Sequence, residues 1–129
     1  MGKTSLVRLA LVITTSVLGL VVAASALAGD REVRRAGTCT GAASAKLKHK
    51  DEDGRIEVEF EVDQNRNGVR WAVVLRQRGV VVFAGTRTTR GPSGSFELRR
   101  LLPNPSGPDL IKARATSPSG QVCRASATF

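Results

Sequence analysis

From Cys39 to the C-terminus hydrophobic and polar residues alternate with a period of two, the repeat of a half-buried β-strand, and no helical stripe competes with it. The alternation is interrupted at Asp53-Gly54, Asn67-Gly68, Arg78-Gly79, Gly91-Pro92-Ser93-Gly94, residues 103–108 and Ser117-Pro118-Ser119-Gly120, all of turn composition. Strands are therefore predicted at 39–50, 55–62, 69–76, 80–88, 95–101, 110–116 and 121–128. This spacing predicts an all-β chain, a seven-stranded antiparallel immunoglobulin-like sandwich of two sheets.

Parity assigns the core. Ala43, Ala45, Leu47 and His49 share one face of the first strand. Ile56, Val58, Phe60 and Val62 point inward from the second, and Trp71, Val73 and Leu75 from the third. Between the first two strands, Asp53-Gly54 is the residue pair of a type I′ hairpin turn. Such a turn sets Glu52 opposite Arg55, Lys50 opposite Glu57, Lys48 opposite Glu59 and Lys46 opposite Glu61. Opposite charges at every outward pair predict a register-setting zipper. Each of the glutamates at 57, 59 and 61 has a lysine that keeps it ionised, which is unsuited to acid–base chemistry.

The next hairpin is expected to turn over Gln77-Arg78-Gly79 with only Gly79 left-handed, since an arginine there costs energy. That register pairs Leu75 with Val81 and Val73 with Phe83 in the core. It leaves Ala72, Val74, Val80 and Val82 as an outer apolar strip, with Arg76 and Arg78 beside it as gatekeepers against aggregation. Such a strip either serves as a surface for a weak homodimer or another partner, or is covered by other strands or loops.

The first 28 residues change the setting. Lys3 and Arg8 precede a charge-free apolar run from Leu9 to Ala28, which ends in the small-x-small site Ala26-Leu27-Ala28. This is the pattern of a cleaved signal peptide, so a secreted protein with no stable membrane span after cleavage is expected. Residues 29–37 read as a flexible polar leader and 38–129 as the sandwich domain. Export makes Cys39 and Cys123, the only cysteines, a structural disulfide closing most of the chain.

Charge is unevenly spread. Residues 46–63 carry a net −3 and residues 64–129 a net +9. Arg70, Arg76, Arg87, Arg90, Arg99, Lys112, Arg114 and Arg124 fall at outward positions or in loops, and form the candidate anion-binding set. Arginine in excess over lysine suits bidentate contacts to phosphate or carboxylate.

Other chemistry is sparse. His49 is the single histidine, expected to be partly buried near Asp51, and no nucleophile frame, phosphate loop or dinucleotide fingerprint accompanies it. No catalytic residue, cofactor or metal is assigned. Asp63-x-Asn65-x-Asn67-Gly68 matches the first half of a calcium loop, but Val74 stands where the bidentate glutamate belongs, and the same residues build ordinary turns. The few aromatics sit at core parity, Trp71 as the pin of the sandwich, which removes the stacking platforms that single-stranded nucleic acid requires. Nucleic acid also conflicts with export and is not an expected partner.

The runs DGRIEVEFEVDQNRNGVRW and VFAGTRTTRGPSGSF, with cysteines flanking Trp71, resemble small secreted actinobacterial proteins with an immunoglobulin-like sandwich, a group of unknown function. The resemblance covers residues 39–129; it implies a fold and an export address and transfers no catalytic residue. The tyrosine corner of antibody domains is missing. The expected function is a secreted, non-catalytic binding module for an anionic cell-envelope polymer or acidic protein. The alternative is a secreted inhibitor or partner protein that acts through the exposed Pro/Gly loop at 103–108 or 91–94.

Overall fold

The computed structural model describes residues 31–129, together with Gly2. The signal segment expected at 1–28 lies, Gly2 aside, outside the described residues. The strands are β1 Glu32–Ala36, β2 Thr38–Cys39, β3 Ser44–Glu52, β4 Arg55–Asp63, β5 Arg70–Gln77, β6 Val80–Thr88, β7 Ser95–Pro103, β8 Leu110–Thr116 and β9 Val122–Thr128. They form a two-sheet antiparallel sandwich with orders β1-β3-β4-β7 and β2-β9-β8-β5-β6. The chain crosses between sheets after β1, β2, β4, β6 and β7, so sequence neighbours separate into facing layers.

Two of these strands correct the sequence expectation. In the leader expected to be flexible at 29–37, the described residues form β1, which pairs Val33 with His49 and half-buries Val33 against the core. Its polar composition hid a strand whose outer residues simply face water. The chain then changes sheets at Gly37, where an added Cβ would come within 2.6 Å of the Arg124 carbonyl oxygen. The strand expected at 39–50 is correspondingly split, with β2 in one sheet and β3 in the other. Cys39 and Cys123 form a disulfide between directly paired positions of β2 and β9, within one sheet.

The β3–β4 hairpin has the register that its turn demands. Asp53 and Gly54 both take positive φ, and Lys46, Lys48, Lys50 and Glu52 face Glu61, Glu59, Glu57 and Arg55. Lys48 and Glu59 meet at 2.5 Å and Lys46 and Glu61 at 3.3 Å, while Lys50 reaches Glu52 at 3.4 Å. On the inner face Leu47, Ile56, Val58, Phe60 and Val62 are buried against Trp71, Val73, Leu75, Phe96 and Leu98. Trp71 is fully buried and donates its indole N–H to Gln64 Oε1 at 3.0 Å.

The β5–β6 hairpin departs from expectation. Arg78 itself adopts a left-handed conformation beside Gly79, giving a two-residue turn, and a bulge between Leu75 and Arg76 shifts the pairing. Leu75 faces Phe83 and Val73 faces Gly85, in place of Val81 and Phe83. The reason lies across the sheet. Arg78 Nε donates to Asp109 Oδ1 at 2.7 Å, and its Nη2 donates to the Ser106 carbonyl at 2.9 Å. These bonds compensate the backbone strain. Arg78 is a clamp on the 103–109 loop, not a gatekeeper. Val82, expected outside, packs against the core at the bulge, and Val74 is half-buried.

Candidate anion-binding face

The five strands of the larger sheet carry Arg70, Arg76, Arg87, Lys112, Arg114 and Arg124 and no aspartate or glutamate. Strand parity points Arg76, Lys112, Arg114 and Arg124 outward, and all four are exposed. Strand order then brings them together. Arg76 pairs with Lys112 across β5 and β8, and Arg114 pairs with Arg124 across β8 and β9. Adjacent strands lie about 4.8 Å apart and successive outward residues about 6.7 Å apart, so the four charges occupy a compact diagonal band.

Directly opposed like charges destabilise a sheet. None of the four has an ion-pair partner among the described residues. They line a groove of about 540 Å³ together with Arg35, Thr38, Val74 and Ser126. Arginine and lysine here supply long arms around a floor of short side chains, and the two hydroxyls add neutral hydrogen-bonding groups.

The remaining candidates part company. Arg70 lies on the same outward face but at the far end of β5, opposite Thr88. Arg87 and Arg90 share a separate groove that also contains Glu97. Arg87 sits 5.0 Å above the Phe83 ring, and Arg100 covers it at 4.4 Å. Arg99 belongs to the other sheet, where its guanidinium meets Glu59 at 2.7 Å and Glu57 at 3.5 Å. Burial pushes the Glu59 carboxyl up, but hydrogen bonds from Lys48 and Arg99 outweigh it and hold the group below its ordinary value. Arg99 therefore completes the zipper. Arg35, which sequence parity had not singled out, joins the groove because the chain changes sheets two residues later.

His49 is fully buried rather than partly so, and neither ring nitrogen has a hydrogen-bond partner. Its ring meets Phe129 edge-on at 6.3 Å. Burial, helped by the nearby Arg35 charge, lowers its pKa to about 4. In the half calcium loop, Asp63 Oδ1 accepts from the Asn65 amide at 2.9 Å, and Gly68 N donates to the Thr89 carbonyl at 2.8 Å. The loop is thus stitched to residues 89–94. The described residues contain no group of three or more His, Cys, Asp or Glu side chains placed to hold a metal. The 103–108 loop is exposed along its length and anchored by Arg78.

No protein-family model matches the chain, and no curated protein matches it. Among solved structures, chicken MD-1 complexed with lipid IVa is similar over 77% of this chain and 99% of that one, at 13% identity and a TM-score of 0.26.

Proposed function

We propose that this protein is a secreted, non-catalytic binding module that engages an anionic partner at the cell envelope through the outer face of its larger sheet. The observation that supports this is the quartet Arg76, Lys112, Arg114 and Arg124, held as two like-charge cross-strand pairs on strands with no carboxylate. A face kept only for solubility has no need of such pairs, because interspersed acids would remove their cost. The opposite sheet does intersperse them. Secretion is supported by the Cys39–Cys123 disulfide, since such bonds persist in oxidising compartments. A non-catalytic role is supported by the sealed position of His49 and by the ion pairs that occupy the zipper carboxylates.

The test is co-sedimentation of the exported, oxidised protein with washed envelopes of its source cell, after its N-terminus has been read by mass spectrometry. Binding at low salt should be lost at about 0.5 M salt, where the screening length falls to a few ångströms. Replacing Arg114 and Arg124 with glutamate should abolish it at low salt. Binding that persists in high salt, or in that variant, would overturn the proposal.

A further inference from the structure

Four large hydrophobic side chains are prominently exposed among the described residues: Val80 at 65%, Leu101 at 49%, Val81 at 48% and Leu110 at 41%. Two of them adjoin the basic quartet on its own face: Val81 pairs with Arg76, and Leu110 precedes Lys112 by one outward step on β8, while Val80 pairs with the inward-facing Gln77 and projects at the adjoining β6 edge. The Arg78 amide donates to the Leu110 carbonyl at 2.9 Å, which fixes the hairpin tip beside the start of β8. Leu101 lies apart, on the smaller sheet opposite Glu57.

Resting on the reading that the basic face meets an anionic partner, we propose that this partner is the surface of an anionic lipid bilayer. Val81 and Leu110 enter the interface, with Val80 at the adjoining β6 edge, while Arg76, Lys112, Arg114 and Arg124 lie on the headgroup phosphates. An apolar edge beside a row of cations is the arrangement that binds such interfaces, with affinity set jointly by buried apolar area and attraction to anionic lipid. A soluble polyanion uses the cations but has no use for the exposed valines and leucine.

The surrounding charges select one orientation. Asp109, next to Leu110, is fully buried and bound by Arg78, so it presents no charge to a membrane. Arg55 pairs with both Glu52 and Pro103, and Gln77 Nε2 donates to the Pro103 carbonyl at 2.7 Å. The acidic Asp51-Glu52-Asp53 turn therefore caps the same end of the sandwich as the β5–β6 tip. It belongs to the opposite sheet, about 10 Å behind. An end-on approach would press those carboxylates toward the phosphates. The broad face and the β6 edge approach without that repulsion.

The experiment uses vesicles of equimolar phosphatidylglycerol and phosphatidylcholine, vesicles of phosphatidylcholine alone, and soluble polyphosphate. The exported, oxidised protein should sediment with the anionic vesicles and not the neutral ones. Changing Val80, Val81 and Leu110 to serine should weaken vesicle binding about tenfold or more, leave polyphosphate affinity unchanged, and leave the melting temperature close to the parent's. Val81→Trp, which needs no loss of apolar surface, should shift its emission to the blue on anionic vesicles. A serine variant that binds vesicles like the parent, or a Val81→Trp emission that stays put on bound vesicles, would overturn the lipid assignment. Binding to polyphosphate without binding to anionic vesicles would overturn it too while leaving the basic-face reading intact. Binding to neither would remove both.

Discussion

His49 and Asp109 are two buried polar side chains with opposite histories. Both ring nitrogens of His49 lack partners, and the group stays neutral down to about pH 4. Above about pH 6.5 folded and unfolded chains both hold it neutral, and stability is flat. Between there and about pH 4 the unfolded chain takes up a proton that the folded chain refuses, so stability falls with pH, by about 3 kcal/mol in all. His49→Leu should flatten this acid limb. Denaturant titrations at pH 7 should also find it more stable by about 1 kcal/mol, because two unsatisfied nitrogens leave the core. Asp109 instead has one oxygen held by Arg78 and Gln77, although its Oδ2 is buried without a partner. Arg78→Ala should cost about 2–3 kcal/mol by stranding that carboxylate, reduced from the fully buried case because Arg78 is partly solvated. Asp109→Asn should cost less, since it removes the stranded charge. Thermal melts of the two variants would read the difference.

At the scale of elements, the two hairpins differ in how locally they are specified. The β3–β4 register follows from Asp53-Gly54 and the charge pairs on either side, all within one short stretch, and it reads directly from the chain. The β5–β6 register depends on Asp109, which is 31 residues from Arg78. No local pattern shows that an arginine will be drawn into a left-handed turn by a carboxylate on another strand. The loops at 63–69 and 89–95 likewise work as a pair. A Cβ on Gly94, whose φ is +74°, would lie 2.2 Å from the Arg66 amide nitrogen. Gly94→Ala should therefore destabilise by about 2–4 kcal/mol, measured by chemical denaturation. Opening the Cys39–Cys123 bond should cost about 4 kcal/mol on the chain-entropy model. Because β2 is held to β9 at two paired positions, one of them the cysteine pair, the amides of β2 should then lose hydrogen-exchange protection first.

Over the whole molecule the two sheets divide the charge. Acidic and basic residues alternate on the smaller sheet and neutralise one another, while the strands of the larger sheet hold cations alone. This separation should appear as a trade-off. Arg124→Gln relieves a like-charge pair with Arg114, so at low salt it should raise stability by a few tenths of a kcal/mol. The same change should weaken binding to an anionic surface about fivefold. Melting curves and envelope sedimentation on one variant would show both effects. A change that lowers stability and leaves binding untouched would argue against the face as a site.

Period-two alternation, turn residues and a single pair of cysteines were enough to determine a disulfide-linked β-sandwich, its inner faces outside β6, and the zipper. Each of these is written in neighbours along the chain or follows from simple parity. Parity also nominated eight cations, because it tells which side of a strand a residue takes. It cannot tell which strands lie side by side. Only the sheet order placed Arg76, Lys112, Arg114 and Arg124 together, left Arg99 among the glutamates of the smaller sheet, and set Val81 and Leu110 beside the quartet. Strand adjacency is decided by how two sheets bury a shared core, a sum over contacts far apart in sequence. A surface made from four strands therefore becomes visible only when the core has closed.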